Sequence, residues 1–581
     1  MLFKIVTDEK GVILEELIMS RIEKSIRNRR YHVKHGKNIE TIVDLTSGDK
    51  ISGELIDCST QGFKANFKNS NLIEDNINLG DIWPAAKFKT EKGEYFLGRI
   101  VVRRFFRTQS SDLEISFSVV DSRVPVNSHL SHYIAQSLDN NDHFHEKEIN
   151  PEKFSLANFI ENENSHVDLF ERMKEFSVFQ KEWEKTDKYG YKMVREPSFG
   201  QRVNLVRQRK DGRNDYIVMG SNDYLGLSSH PEVIAATKKA LDKYGFGSTG
   251  SPATTGTTIL HNELNEKLAR IHGKEAALLF NSGYASNIGI INAVTTTNDL
   301  IVADQYAHAS IQDGMQMSKA TSRFFKHNDV KHLRSILEKE RTSYNGALVI
   351  TEGVFSMDGD LALLDEIYKV AREFNCRVMV DQAHCFGVIG PNGLGIVDKY
   401  NLSKEVDIIM GTFSKVCGGI GGYVAGSKEL IEWIRFFGRS QLFSISLPPS
   451  NVAAVSAALD IFTSDRSLLN SLKANIRHFT KGLESIGFKF KIPHESSIVP
   501  VLIGDEQKMG TMYQSMLNDG VWCVPIIYPA VSKKNCRFRF TVMASHTISE
   551  LDYVVSSLEK AMLKAQFSID SILLKENSKA S

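Results

Sequence analysis

The sequence predicts an α/β domain with a mostly parallel sheet, preceded by a small antiparallel β-barrel or sandwich. From about residue 232 onward, segments of helical periodicity alternate with short apolar runs, the pattern of a parallel sheet covered by helices. Residues 39–120 instead hold short β-branched runs separated by turn residues. Because 581 residues exceed what one hydrophobic core usually supports, we expect more than one domain.

The composition narrows the class of protein. Lys and Arg total 71 against 70 Asp and Glu, which argues against a general nucleic-acid binder or a basic membrane-surface protein. The six cysteines are scattered without C-x-x-C spacing, so we predict neither a disulfide framework nor a metal site. Charged residues interrupt the first 19 positions and no run of eighteen apolar residues occurs, so we expect a cytoplasmic protein with no transmembrane segment.

The first domain is predicted at residues 1–130. Its strand candidates include Thr41–Leu45, Ile51–Ile56, Phe63–Phe67 and Phe96–Val102. Residues 131–165 form the predicted linker, because polar runs without sustained periodicity fill the stretch from 138 onward. The large domain is predicted at 166–575, with a small α+β subdomain from about 460, and residues 576–581 form a polar tail.

Two features of the first domain resemble the PilZ domain, which binds cyclic di-GMP through an arginine-bearing arm and a D-x-S-x-x-G turn. The turn is matched in full by Asp57, Ser59 and Gly62, and the arm corresponds to a basic cluster that holds Arg29 and Arg30. PilZ binders carry two arginines four apart, whereas the nearest spacing here is Arg30 to Lys34, and lysine lacks the bidentate fork of arginine. A barrel that only mediates protein contacts is the alternative.

In the large domain, one lysine lies between hydroxyl residues and a run of glycines. The predicted strand Val406–Met410 is followed by Thr412, Ser414 and Lys415, and then by small residues that allow close backbone approach to a ligand. Hydroxyls and backbone amides suit a phosphate. A lysine beside a phosphate anchor fits pyridoxal phosphate, whose aldehyde forms a Schiff base with lysine. The alternative is a glycine-rich turn with a solvated lysine.

Residues at the ends of other predicted strands also suit pyridoxal phosphate. Asp381 and His384 follow the strand Cys376–Val380, where the carboxylate would keep a pyridine nitrogen protonated and the imidazole could reach the ring's phenolic oxygen. The turn Asn281–Ala285 opens a helix whose first amides can take a phosphate. His308 could lie over the ring. Taken singly, the aspartate could cap a helix and the histidine could be an ordinary packed one.

Ordered motifs from about 166 to 570 resemble the α-oxoamine synthases, pyridoxal phosphate enzymes of fold type I. The blocks that carry the resemblance are Ser221–Leu227, Gly247–Ser251, Asn281–Asn287, Asp304–Ser310, Glu352–Asp360, Val380–Gly387, Gly411–Gly426, Phe443–Pro449 and Phe538–His546. The family is dimeric with sites at the subunit interface. Thr412–Lys415 and Phe443–Pro449 look most like serine palmitoyltransferase.

The resemblance implies a role for each candidate residue. Lys415 would form the Schiff base, His308 would stack on the ring and Asp381 would pair with the ring nitrogen. His384 and Ser356 would lie near the phenolic oxygen, while Asn222 and Arg539 would bind the substrate carboxylate. The residues assigned to phosphate are Ser282, Gly283, Tyr284, Thr412 and Ser414, with Ser444 and Ser446 reaching the partner's phosphate.

The implied reaction is decarboxylative condensation of an amino acid with an acyl thioester to a 2-amino ketone, with L-serine and a long-chain acyl group favoured. An enzyme similar to 8-amino-7-oxononanoate synthase or 2-amino-3-ketobutyrate ligase is the alternative, as is a signalling protein that binds ligand without turnover. Coenzyme A and a carrier protein are both open as acyl donors. The first domain suggests regulation of a lipid pathway.

Overall fold

The computed structural model describes residues 170–569 except 187–189, 191, 198–199 and 491–493, and also the backbone of nine strands before residue 122. The chain divides into two units, Met1–Glu182 and Trp183–Ser581. The boundaries predicted at 130, 165 and 575 fall outside the described residues. No helix of the described part is long and apolar enough to cross a membrane.

The strands of the first unit pair in an antiparallel manner. They are β1 (Thr7–Asp8), β2 (Gly11–Val12), β3 (Tyr31–His32), β4 (Glu40–Asp44), β5 (Lys50–Ser59), β6 (Gly62–Phe67), β7 (Ile82–Thr90), β8 (Gly93–Arg107) and β9 (Leu113–Asp121). One sheet has the order β3-β5-β4-β7-β8-β9-β6, and β6 also pairs with β5, so the strands from β5 to β6 form a closed ring while β3 pairs with β5 outside it. Whether this unit is a PilZ domain stays a prediction.

The second unit contains the remaining strands. They are β10 (Arg202–Asn204), β11 (Asp215–Val218), β12 (Ala276–Phe280), β13 (Asp299–Asp304), β14 (Thr321–Phe325), β15 (Gly346–Glu352), β16 (Arg377–Asp381), β17 (Ile408–Thr412), β18 (Gly422–Gly426), β19 (Ile498–Leu502), β20 (Val521–Trp522), β21 (Val524–Ile526) and β22 (Arg537–Thr541). The seven-stranded central sheet has the order β12-β18-β17-β16-β15-β13-β14. Only β18 runs against its neighbours in that sheet, so the predicted mostly parallel sheet is confirmed.

Helices alternate with these strands. They are α1 (Glu171–Lys185), α2 (Pro231–Tyr244), α3 (Ile259–His272), α4 (Gly283–Val294), α5 (Ala309–Met317), α6 (Val330–Glu340), α7 (Leu364–Glu373), α8 (Ile396–Lys399), α9 (Lys428–Phe437), α10 (Arg439–Leu442), α11 (Pro449–Ser464), α12 (Ser467–Ser485), α13 (Glu506–Asn518) and α14 (Ile548–Lys564), with 3-10 turns at Leu227–Ser229, Arg341–Ser343 and Lys533–Asn535. The predicted helices at 232–244, 261–272 and 366–374 agree with α2, α3 and α7 within two residues.

Both faces of the central sheet are buried. Side chains alternate along each strand, so that Leu278 and Phe280 of β12 join one apolar cluster while Ala277 and Leu279 join the other. Helices α4, α5 and α9 cover the first face. A parallel sheet covered on both faces leaves its strand ends as the place for polar side chains.

Two smaller sheets complete the second unit. One has the order β10-β11-β20 and the other the order β19-β22-β21. Strand β22 is central to the latter, and all five of its residues are buried. Because Arg539 lies in the middle of that strand, the smaller sheet holds this cation at a fixed position.

A charged histidine ties two loops of the central sheet together. The two ring nitrogens of His327 lie 3.0 Å from Asp304 Oδ1 and 2.8 Å from Asp360 Oδ2. The ring also stacks on Tyr306 with centroids 4.5 Å apart. Burial disfavours the charged imidazole, but the hydrogen bonds to both carboxylates outweigh this effect and raise the pKa of His327 from 6.5 to about 9.

Replacing His327 by glutamine is expected to destabilise the protein in a pH-dependent way. Since the folded-state pKa is raised, the charged imidazole stabilises the fold fully below about pH 6.5, and this contribution is lost as the pH rises through 9. We expect His327→Gln to cost on the order of 2 kcal/mol near pH 6 and much less near pH 9.5. Thermal unfolding across this range measures the difference. His478 is only half-buried, and Asp552 is its one acidic partner among the described residues, so His478→Gln serves as the control.

Candidate active site

The carboxyl ends of the parallel strands meet along one edge of the central sheet. Glu352 ends β15 and is paired with Asp381, which ends β16. Strand β17 ends at Thr412, three residues before Lys415. Strand β13 ends four residues before His308, and β12 ends directly before Asn281. The structure therefore brings together candidate residues that lie more than 100 positions apart in the chain.

Lys415 is surrounded by groups of both signs. Its side chain is half-buried, and this desolvation lowers the pKa of its amino group, while Asp381 and Glu352 act in the opposite direction. Arg539 adds a further lowering influence. Among the described residues, no hydrogen-bond partner of the amino group is found. A desolvated amine without a partner is suited to act as a nucleophile or a base.

Asp381 is held in place through both of its carboxylate oxygens. Asn287 Nδ2 donates to Oδ2 at 2.8 Å, and the main-chain N–H of Ala383 donates to Oδ1 at 2.8 Å. The residue is only 4% exposed. These two donors fix the position of the carboxylate, which is suited to pair with a cationic group of a ligand.

His308 caps the amino end of α5. The main-chain N–H of Ser310 donates to His308 Nδ1 at 3.2 Å, while the main-chain N–H of His308 donates to Glu352 Oε1 at 2.5 Å. Burial lowers the pKa of the imidazole, Asp381 raises it and Lys415 lowers it further. The ring meets that of Tyr284 edge-on with centroids 6.2 Å apart.

His384 is paired with a buried phenol. Tyr224 Oη lies 2.6 Å from His384 Nδ1. Burial lowers the pKa of His384 well below its usual value, and Lys415 and Arg539 add to the effect. Burial likewise raises the pKa of Tyr224 to about 12, so both groups are neutral near pH 7. The pair can supply neutral hydrogen bonds beside Lys415.

Arg539 has no acidic partner among the described residues. Its Nε donates to the carbonyl oxygen of Ser356 at 2.6 Å, and its two Nη atoms lie 3.3 and 3.4 Å from Asn222 Oδ1. The residue is 7% exposed, and burial lowers its pKa. Its other side-chain partner is the phenol of Tyr224. A buried guanidinium whose described partners are amide-type and phenol oxygens retains the capacity to bind a carboxylate.

The amino end of α4 forms an anion cradle with the loop after β17. Ser282 Oγ accepts from the N–H of Ala285 and caps the helix, whose first residue is Gly283. A Cβ at Gly283 would lie 2.9 Å from the Cβ of Thr412, so only glycine permits this approach. Thr412 Oγ1 lies 3.0 Å from Ser414 Oγ. Helix amides and paired hydroxyls are suited to a phosphate group.

Comparisons with known proteins agree with this chemistry. Residues 214–558 match the family model described as aminotransferase class I and II. An 8-amino-7-oxononanoate synthase from Treponema denticola is 42% identical over 345 residues, which are 59% of this chain and 87% of that protein. A serine palmitoyltransferase from Bacteriovorax stolpii is 40% identical over 345 residues, which are 59% of this chain and 82% of that protein.

A solved structure extends the match to the fold. Serine palmitoyltransferase with the internal aldimine of pyridoxal phosphate aligns at a TM-score of 0.65 and 30% identity, covering 69% of this chain and 99% of that chain. The chain belongs to the α-oxoamine synthases. The synthase depends on pyridoxal phosphate, and its residues fit that cofactor: an amine without a partner, an anchored carboxylate and an anion cradle are all present at the sheet edge.

Other predicted residues of the synthase lie around this edge. Ser444 Oγ accepts from Asn281 Nδ2 at 2.8 Å, which places the Ser444 segment beside the start of α4. Ser446 is buried against Gly256, and its Oγ has no partner among the described residues. The phenol of Tyr284 donates to Asp313, so a role of Tyr284 toward phosphate falls to its main-chain N–H.

Three further residues of the synthase were not singled out from the sequence. Tyr224 contacts His384, Glu352 accepts from the main chain of His308, and Asn287 donates to Asp381. Each lies inside a motif block, but a tyrosine, glutamate or asparagine there has no spacing that marks it. Glu352 is buried beside Asp381, and burial followed by that charge raises its pKa well above the usual value.

The candidate nucleotide site of the first unit is placed only in part. Ser59 pairs with Gly62 at the turn between β5 and β6, and Asp57 pairs with Lys64. Strand β3 lies beside this turn, since His32 pairs with Asp57. Arg29 and Arg30 lie outside the described residues, and nothing is shown of the side chains of Asp57 and Ser59.

Proposed function

We propose that this synthase condenses an amino acid with an acyl thioester and releases carbon dioxide and a 2-amino ketone. The observation that carries this function is the buried Arg539, which has no described acidic partner and lies close enough to Lys415 and His384 to lower the pKa of both. A guanidinium at that position would hold the carboxylate of an amino acid near the reactive amine. The names of the relatives support acyl transfer to an amino acid.

The side chains divide the chemistry between them. Pyridoxal phosphate, when bound, supplies an aldehyde that takes up amines and a ring that withdraws electrons from the amino acid. Asp381 would keep a proton on the ring nitrogen, and His384 with Ser356 would lie near the phenolic oxygen. Lys415 would then remove the α-proton, since burial lowers the pKa of its amine. Ser282, Gly283, Tyr284, Thr412 and Ser414 would hold the phosphate.

Within this reaction we favour L-serine and a long-chain acyl thioester. Similar solved structures include serine palmitoyltransferases. Relatives named 8-amino-7-oxononanoate synthase are 42% and 41% identical, against 40% for the serine palmitoyltransferase from Bacteriovorax stolpii, so an enzyme of that type is the second candidate. Mass spectrometry of products from a panel of amino acids and acyl thioesters of graded length distinguishes the two. Release of labelled carbon dioxide from carboxyl-labelled amino acid tests the condensation itself, and its absence with every pair would refute the function.

Replacing Arg539 by glutamine should weaken amino-acid binding. Loss of a charge-assisted bidentate contact costs roughly 2–3 kcal/mol, so we expect KM for the amino acid to rise about 100-fold. Arg537 lies on the same strand but already pairs with Asp358, and Arg537→Gln is therefore the matched control. Steady-state kinetics at fixed acyl thioester measure both. An unchanged KM in Arg539→Gln would show that Arg539 does not bind the carboxylate of the amino acid.

The active unit is proposed to be a homodimer. Ser444 and Ser446 would then reach the phosphate of the partner's cofactor, as the family resemblance implies. The exposed side chains of Phe443 and Ile445, which flank Ser444, support a contact at this segment. Sedimentation of the full chain tests the assembly, and a monomer at micromolar concentration would contradict it.

The first unit is proposed to bind cyclic di-GMP and to regulate the synthase. The placement of β3 beside the Asp57–Gly62 turn supports this role, because the basic cluster with Arg29 and Arg30 directly precedes that strand. We expect weak affinity that depends on Arg29, Arg30 and Ser59. Titration calorimetry of the full chain measures it, with Arg29→Ala and Ser59→Ala as variants. Absence of heat at high nucleotide concentration would refute nucleotide binding and favour the alternative, a unit that only mediates protein contacts.

A further inference from the structure

A buried asparagine on α4 joins two parts of the active site that the mechanism treats separately. Asn287 is 1% exposed. Its Nδ2 atom donates to Asp381 Oδ2 at 2.8 Å and to Ser310 Oγ at 2.9 Å. Ser310 Oγ in turn lies 2.8 Å from His308 Nδ1. A continuous hydrogen-bonded chain therefore runs from the carboxylate of Asp381 to the imidazole of His308.

The direction of each hydrogen bond follows from the chemistry of the groups. A carboxylate only accepts, so Asp381 fixes the orientation of the Asn287 amide. The second N–H of that amide points at Ser310 Oγ, which acts as the acceptor. Because a main-chain N–H also faces His308 Nδ1, this nitrogen is an acceptor and the Ser310 hydroxyl turns its own proton toward it. The main-chain N–H of Ser310 also donates to His308 Nδ1, at 3.2 Å.

Both donors aimed at Nδ1 exclude a proton on that nitrogen. A neutral His308 must then carry its proton on Nε2, and an imidazolium would set an N–H against the N–H of Ser310. His308 Nε2 has no hydrogen-bond partner within the described part of the chain. This nitrogen is the one that can donate to a bound ligand.

The charges around His308 also act on the protonation of its imidazole. Asp381 attracts a proton to the ring, whereas Lys415 repels it. Glu352 accepts from the main-chain N–H, and His384 on the neighbouring loop is neutral. The carboxylate of Asp381 alone would favour a charged His308, whereas burial and Lys415 oppose the charge. The two donors at Nδ1 act in the same direction as burial and also decide which ring nitrogen carries the proton.

We propose that Asn287 and Ser310 are positioning residues that hold His308 as the neutral Nε2–H tautomer, with Asp381 as their anchor. This role rests on the function proposed above, in which His308 lies over the cofactor ring. A donor fixed on Nε2 can serve the substrate at its carboxylate or at the acyl oxygen, whereas a cation there would compete with Lys415 and Arg539 for the same anions.

The tautomer of His308 can be determined by NMR in the absence of turnover. Solid-state nitrogen NMR of the histidine-labelled, full-length protein, with the His308 signals assigned by comparison with His308→Gln, should show an unprotonated Nδ1 and a protonated Nε2. We expect this state in both the cofactor-free protein and the holoenzyme, across pH 6 to 9. A protonated Nδ1 in the unmodified protein would overturn the assignment.

Variants separate positioning from folding. Asn287→Leu and Ser310→Ala should each protonate part of the Nδ1 population near pH 6, and each should lower kcat/KM about 10- to 100-fold, the usual cost of losing the hydrogen-bond partner of a functional histidine. Because the residues act as one chain, the double variant should cost little more than either single variant. Ser310→Thr keeps the hydroxyl and should restore both the spectrum and the rate.

A matched control lies on the same helix. Asn292 also donates twice from Nδ2, to the carbonyl oxygens of Ile288 and Gly314, but it contacts no active-site residue named above. Asn292→Leu should leave the His308 signals unchanged. If Asn287→Leu and Ser310→Ala do so as well, the positioning role is wrong. Lys415→Ala addresses the proposed reaction instead: it removes a charge that repels a proton from His308, so the comparison is made at pH 9, where turnover should stop while Nδ1 stays unprotonated.

Discussion

Replacing Lys415 by alanine should abolish the absorbance band near the visible edge that we expect from a Schiff base between pyridoxal phosphate and this lysine. Turnover should fall by at least about three to four orders of magnitude, because removal of a covalent catalytic group costs this much or more. Among Glu352, Asp381, His308, His384 and Lys415, which lie at the strand ends, Lys415 is the one whose side chain can form a Schiff base. Absorbance spectra of the purified holoenzyme and product formation by mass spectrometry measure the two effects.

Two further variants make this result specific to Lys415. Lys415→Arg keeps a positive charge but cannot form the Schiff base, so it should lose the band as completely as alanine does. Lys369 is exposed on α7, with 71% of its side chain accessible, and Lys369→Ala should change neither band nor turnover. Retention of the band in Lys415→Ala would place the covalent link elsewhere and contradict the assigned site.

Replacing Asp381 by asparagine should lower turnover at least about 100-fold, the size of a well-placed acid–base contribution. An amide cannot hold a proton on the ring nitrogen, so the ring would withdraw electrons less strongly. The same change replaces one of the two accepting oxygens by an NH₂ group, so either Asn287 Nδ2 or the main-chain N–H of Ala383 loses its acceptor at this residue. Turnover and the position of the absorbance band together report the loss.

Glutamate at the same position gives a matched comparison. Asp381→Glu keeps the negative charge but moves it by one methylene within a residue that is 4% exposed, so partial activity is expected. The order of activity should be aspartate, then glutamate, then asparagine. An asparagine variant that turns over as fast as the unmodified enzyme would show that Asp381 does not contact the ring nitrogen.

The alternation of helix and strand was sufficient to predict the central sheet. The predicted strand Ala276–Phe280 coincides with β12, and the lysine segment follows β17 as expected. Strand β16 ends at Asp381, one residue beyond the predicted strand, because the main chain of Asp381 still pairs with Met410. Periodicity locates the buried part of a strand, while its last residue is decided by the neighbouring strand.

Contacts across long sequence separations were beyond the reach of such patterns. Tyr224 and His384 are 160 positions apart, and Asn287 and Asp381 are 94 apart. Nothing in the local sequence states that a helix asparagine will point at a strand-end carboxylate. Asn222 and Arg539 are in contact although they lie 317 positions apart, and composition and spacing gave no indication of it. Their role at the substrate carboxylate stays a prediction from the family resemblance.

By itself the sequence determined which chemical groups stand at the strand ends, because apolar runs must be buried and the polar residues that follow them must emerge at one edge of a parallel sheet. Only the tertiary structure decided which of those groups contact each other: that Asn287 donates to Asp381, that Tyr224 lies against His384 and that Arg539 has no described acidic partner. Proton positions and pKa shifts depend on distances of a few ångströms between groups that only folding brings together.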